Sequence, residues 1–133
     1  MNRNYRERFT LSDEEIGLIL KGDYNLLVKR AEEFGKYLAK EKKLKTSQFR
    51  KIFGEIKKIF MKGFSENTIK DLLLLKPRLS YTAERHKTVR DLRDVLSKMI
   101  DKIVTANKKE YFENFVNFVE AVLAYHKGYG GRD

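Results

Sequence analysis

A single proline in 133 residues, set among apolar side chains that return every third or fourth position, leaves the chain little choice but a helical fold. No run alternates apolar and polar residues in the manner of a half-buried strand. The expected class is all-α, a compact bundle of about five or six helices. A chain of this length buries roughly two-thirds of its unfolded surface, so it needs no metal or disulfide to hold a core. The absence of cysteine agrees with that and points to an intracellular, cytoplasmic protein.

The helix boundaries can be read in order. Ser12 with Glu15 forms a capping-box pattern ahead of Ile16, Ile19 and Leu20, and Gly22 stops that helix. Asp23 caps the next, whose face is Leu27, Ala31, Phe34 and Leu38, and the charged stretch Lys40 to Lys45 reads as a loop or a frayed helix end. Thr46 or Ser47 starts a third helix over about 47–62. Ser65 caps a fourth carrying Ile69, Leu72, Leu73 and Leu75. Pro77 is expected to close it and to open a further helical piece reaching Arg85. A turn near His86 and Lys87 leads into a long helix with Leu92, Val95, Leu96, Met99, Ile100 and Ile103 on one side. Asn107 is expected to cap a last helix over about 108–127 that ends at Gly128. These elements make one domain over 12–127, behind a flexible N-terminal segment 1–11 and ahead of a C-terminal tail 128–133. The N-terminal segment carries Arg3, Arg6 and Arg8 with no apolar run behind them, so it is not read as a secretory signal, and nothing approaches a membrane span.

The last helix has a wide apolar arc. Phe112, Phe115, Val116, Val119, Val122 and Leu123 form one face, while Tyr111, Phe118 and Tyr125 recur beside it at seven-residue intervals. Either the helix lies centrally in the bundle, or Tyr111, Phe118 and Tyr125 make a subunit contact that allows self-association.

Charge supplies the functional signal. The chain has 29 Lys and Arg against 19 Asp and Glu, a net charge of +10, which suits a polyanionic partner. Between Lys40 and Lys62 stand nine basic residues against Glu41 and Glu55, and between Lys76 and Arg93 six against Glu84 and Asp91. The rest is close to balance. Taking Phe49 as zero on a wheel of 100° per residue, Phe49, Ile52, Phe53, Ile56, Ile59 and Phe60 fall within about 120°. Arg50, Lys51, Lys57, Lys58 and Lys62 lie away from that arc and form a basic stripe with Glu55 among them. Such a stripe is either a phosphate-binding surface or a solvated helix face, and the concentration of charge favours phosphate. Gly54 falls inside this stripe, where close approach of a ligand or helix and plain tolerance explain it equally.

Arg78, Tyr81 or Thr82, and Arg85 lie on successive turns of one side and form a candidate clamp for a nucleic-acid backbone. The alternative, preferred for Tyr81, is that Leu79 and Tyr81 are core and the arginines snorkel past them. Catalytic chemistry is sparse. Two histidines, His86 and His126, without metal-ligand spacing and without a phosphate-binding glycine pattern favour a binding module over an enzyme, with no cofactor. His126, near a helix C-terminus, is expected to be favoured in its charged form.

The run Leu44 to Lys51, the run Leu75 to Arg85 that reads LKPRLSYTAER, and Phe115 to Tyr125 together resemble the small helical subunit of the type III-A CRISPR Csm effector complex. The likeness extends over nearly the whole chain after the first few dozen residues, and the second run is its most specific part. It implies a non-catalytic subunit present in several copies along an RNA-guided filament, facing guide RNA and target RNA and contacting backbone and large Csm subunits, which carry the cleavage activities. Lys45, Arg50, Lys51, Lys76, Arg78 and Arg85 carry over from the matching runs, and charge counting adds Lys57, Lys58 and Lys87. Two rival readings are a helix-turn-helix DNA-binding protein built on the turn at His86, and a bundle whose partner is purely protein.

Overall fold

The computed structural model describes residues 8–133, and all the regular structure among them is helical. Six helices follow in order: α1 Asp13–Lys21, α2 Tyr24–Lys40, α3 Thr46–Met61, α4 Glu66–Arg85, α5 Arg90–Ala106 and α6 Lys109–Gly128, with a 3-10 turn, Lys87–Val89, between α4 and α5. The all-α bundle expected from the periodicity is the observed architecture.

Helix starts follow side-chain capping. Ser12 accepts from the Glu15 N–H at 3.1 Å while the Glu15 carboxylate accepts from the Ser12 N–H at 3.2 Å. Asp23 accepts from the Leu26 N–H at 3.1 Å, and Ser65 forms a capping box with Thr68. Gly22 ends α1 with φ +107°, a left-handed conformation that glycine adopts without steric cost.

Three boundaries differ from the sequence reading. α4 does not stop at Pro77 but runs through it for 20 residues. The missing N–H of Pro77 leaves the Leu73 carbonyl without its intrahelical donor, and an interior proline costs about 3 kcal/mol. Both residues are exposed, so water can take that carbonyl, while Leu72, Leu75, Leu79 and Ala83 bury one continuous face across the proline. Asn107 ends α5 instead of beginning α6: its φ is +53°, and asparagine tolerates the left-handed region. Gly128 is still helical, and the left-handed glycine after α6 is Gly130, at φ +95°.

α6 is the centre of the bundle. α2 packs against it along its length, and α1, α3 and α5 also touch it. This explains the wide apolar arc: Phe118 is fully buried in the chain's own core, which removes it from the proposed subunit contact, while Tyr111 and Tyr125 are partly buried against that core. The close seating of α2 on α6 depends on Gly35. A Cβ there would lie 2.7 Å from the Tyr125 Cβ and 2.8 Å from the Val122 carbonyl oxygen and the His126 nitrogen, so no larger residue fits without moving a helix.

Both ends of the described chain are tied to the bundle. The expected flexible segment 1–11 falls outside the described residues as far as position 7. Beyond it Phe9 stacks on Phe34 with ring centroids 4.3 Å apart, and Leu11 is buried. Packing therefore begins ahead of the boundary expected at residue 12. At the other end the Thr46 N–H donates to the Arg132 carbonyl at 2.7 Å, and Gly131 lies directly on the His126 ring.

That ring is not the charged side chain expected near a helix C-terminus. His126 is fully buried, and Nε2 lies 2.7 Å from the Leu44 carbonyl, which can only accept, so Nε2 carries the proton. Nδ1 is buried and has no partner among the described residues. Burial therefore pushes the pKa below the ordinary 6.5, with the nearby Lys127 acting in the same sense against the Leu44 hydrogen bond. The helix dipole does not prevail, because the ring lies in the core and not in water.

Candidate nucleic-acid interface

α3 and α4 run side by side and enclose a groove of about 820 Å³. Its floor is apolar: Ile52 from α3 with Leu75 and Leu79 from α4 are all buried and line it. They are buried because the apolar positions of both helices point at the shared core, and the next positions around each helix become the groove's rim. The rim carries Ser47, Gln48, Lys51 and Glu55 from α3, and Pro77, Arg78, Tyr81, Thr82, Arg85 and His86 from α4 and its end.

Lys51, from the first basic segment, and Arg78 and Arg85, from the second, thus meet at one groove. Lys51 and Arg85 make no ion pair among the described residues, whereas Arg78 Nη1 lies 3.1 Å from Glu55 Oε1. Glu55 also holds Lys58, at 3.7 Å. Both pairs are well exposed, so each contributes at most about 1 kcal/mol and can exchange for a phosphate.

Tyr81 is not core. It is 65% exposed, with Leu79 taking the buried place. The Arg85 guanidinium lies 5.8 Å from its ring centroid, and Arg85 Nη1 donates to the phenolic oxygen at 3.3 Å. The arrangement is a cation resting on an aromatic ring at the groove edge.

The other expected site residues disperse. Lys45 is the exposed residue that precedes α3, and Arg50 is exposed one position before Lys51, neither with an ion pair among the described residues. Lys57 leans over the Phe53 and Phe60 rings at 5.8 and 5.7 Å, at the edge of the α3 apolar face, where those two rings are only partly covered. Lys76 turns away to an ion pair with Asp101 of α5. Lys87 lines a separate charged cleft with Arg8, Lys42, Arg90 and Arg93, where Glu84, Asp91 and Asp94 answer the positive charge. The second basic segment is thereby split: Arg78 and Arg85 face the groove, Lys76 pairs with α5, and Lys87, Arg90 and Arg93 line the cleft.

In that cleft Asp91 is buried and accepts from the Tyr37 hydroxyl at 2.5 Å, from Arg8 at 3.3 Å, and pairs with Lys42 at 3.8 Å. Burial, reinforced by the Asp91 hydrogen bond, pushes the Tyr37 pKa up to about 12. Tyr37 thus stays protonated at neutral pH and donates to Asp91, and the cluster joins α2, α5 and the residues ahead of α1. In the sequence Asp91 is only one acid among cations. Its distance of 54 residues from Tyr37 gave no signal of the pairing.

Gly54 lies within α3, and a Cβ placed there meets nothing within 4 Å, so no close approach inside the chain requires the glycine. Among the described residues there is no cluster of three or more metal-ligating side chains, and no helix is long and apolar enough to cross a membrane.

Among the described residues, a six-helix bundle with cations from two separated segments at an apolar-floored groove defines a small all-helical protein with a cationic groove. Comparison with known families narrows this further. The profile described as Csm2 Type III-A matches residues 21–132, and the chain belongs to that family. A curated relative, the CRISPR system Cms protein Csm2 of Streptococcus thermophilus, is 28% identical over 113 residues, covering 80% of this chain and 93% of the relative. No solved structure is significantly similar to the chain.

Proposed function

We propose that this chain is the non-catalytic small subunit of a type III-A CRISPR RNA-guided interference complex, acting in the cytoplasm in antiviral defence. It positions guide RNA and target RNA through phosphate contacts and contacts the backbone and large Csm subunits. The observation that carries this reading is the meeting of Lys51 with Arg78 and Arg85 at one groove. Cations so placed release counterions from a phosphate chain and need no base readout, since guide and target pair with each other. The helix-turn-helix alternative finds less support in the first turn of α5, where Arg90 is paired with Glu84 and Asp91 is buried under Tyr37. Such a helix has few side chains left to enter a DNA groove.

The test is a triple Arg50→Glu, Lys51→Glu, Arg78→Glu variant in the reconstituted complex. All three side chains are exposed, so helical circular dichroism should be unchanged. RNA association should fall, and the wild-type affinity should drop steeply between 50 and about 200 mM salt. Undiminished RNA association by the triple variant would reject the groove as the contact surface.

A further inference from the structure

We infer that the groove between α3 and α4 receives a single unpaired nucleotide, with its base laid on the Tyr81 ring. This rests on the RNA-positioning reading above and goes beyond it, because phosphate contacts alone need no aromatic. A tyrosine left 65% exposed beside buried Leu79 is an amphipathic ring that the core does not use. Arg85 engages it at 5.8 Å and holds its hydroxyl, which fixes the ring's position, and no other ring contacts it among the described residues. Every base has a face that can stack on an exposed ring, but the face is free only when the base is out of a duplex.

The surroundings fit a nucleotide and not only a phosphate chain. The groove floor is apolar, as a base plane requires, while Lys51 and Arg78 stand at the rim where the flanking phosphates would lie. Gln48 also lines the groove, and its Oε1 accepts from Thr88 Oγ1 at 3.4 Å. That leaves its amide N–H groups to donate to a base edge. A duplex presents its bases stacked on one another and cannot place one on Tyr81 without extruding it. The groove's volume, about 820 Å³, is ample for one base.

The experiment uses the full chain with a short single-stranded RNA carrying one 2-aminopurine, and with the same RNA fully paired. On binding the single strand, the wild type and Tyr81→Phe should quench the 2-aminopurine fluorescence, because both keep a ring. Tyr81→Ala should abolish the quenching and weaken binding about tenfold, while leaving the salt dependence of affinity unchanged, since no charge is lost. Lys51→Glu with Arg78→Glu should instead lower the salt dependence and weaken single strand and duplex alike. Quenching and affinity in Tyr81→Ala equal to wild type would overturn the stacking inference alone, provided the charge variant loses binding. Full binding by the charge variant, or no binding by the wild type at low salt, would overturn the RNA reading and the inference with it.

Discussion

Glu55 of α3 and Arg78 of α4 face each other across the groove at 3.1 Å, so the acid between two basic helix faces occupies a guanidinium that would otherwise be free for phosphate. Lys58, on the same carboxylate at 3.7 Å, is held in the same way. An exposed pair of this kind adds little to folding. Its larger effect is on the field of the groove, where one negative charge offsets part of the positive charge of Lys51, Arg78 and Arg85.

Glu55→Gln should therefore change thermal stability by less than about 1 kcal/mol, yet tighten RNA binding about fivefold at low salt and steepen its salt dependence. Filter binding at several salt concentrations, alongside a thermal melt, measures both. Weaker binding would show instead that Glu55 orients Arg78 for its contact.

The two mid-helix glycines of α2 and α3 predict opposite outcomes for the same substitution. At Gly35 a new methyl meets α6 backbone and the Tyr125 Cβ at 2.7 to 2.8 Å, so Gly35→Ala should destabilise by about 1 to 3 kcal/mol through overpacking. At Gly54 it meets nothing within 4 Å, so Gly54→Ala should stabilise by about 1 kcal/mol through helix propensity. Urea unfolding of the two variants beside the wild type decides both. A stabilising Gly35→Ala would mean that α2 and α6 are not seated as closely as described.

Much of the bundle was legible because its signals are local. Ser12, Asp23 and Ser65 cap helices with their own side chains, and the buried faces of α2 and α3 obey a spacing visible within one helix. At Pro77 tertiary burial overrides local preference, because Leu72 and Leu79 bury the same face on both sides of the proline, whereas Asn107 is locally ambiguous, since asparagine serves equally at a helix start or in the left-handed turn at its end. The two concentrations of charge were equally plain, but their partners were not. Lys76 finds Asp101 at a separation of 25 residues, and Arg78 finds Glu55 at 23, and only the folded chain brings them together. Tyr81 was expected inside because aromatics on mixed helices commonly are. Leu75 and Leu79 already fill the buried face of α4, which turns Tyr81 outward.

The buried imidazole makes stability depend on pH in a defined direction. In the folded chain His126 is neutral and its pKa lies below the 6.5 of the free side chain, first because it is buried. The unfolded chain therefore binds a proton that the folded chain resists, and stability rises with pH wherever that holds. Its contribution is complete above about pH 7 and is lost as the pH falls below 6.5 toward the folded pKa. A charge on Nδ1 would have no acceptor, pressed between the Phe49 ring, 5.6 Å away, and Gly131. Urea unfolding of the wild type should thus give a constant free energy from about pH 8 to 7 and a declining one from about pH 6.5 to 5.5. His126→Gln should be less stable throughout but flat across that lower window, because nothing remains there to protonate. A wild-type stability that does not change between pH 7.5 and 5.5 would contradict the burial of a neutral His126. A decline of equal slope in His126→Gln would assign the effect to another group.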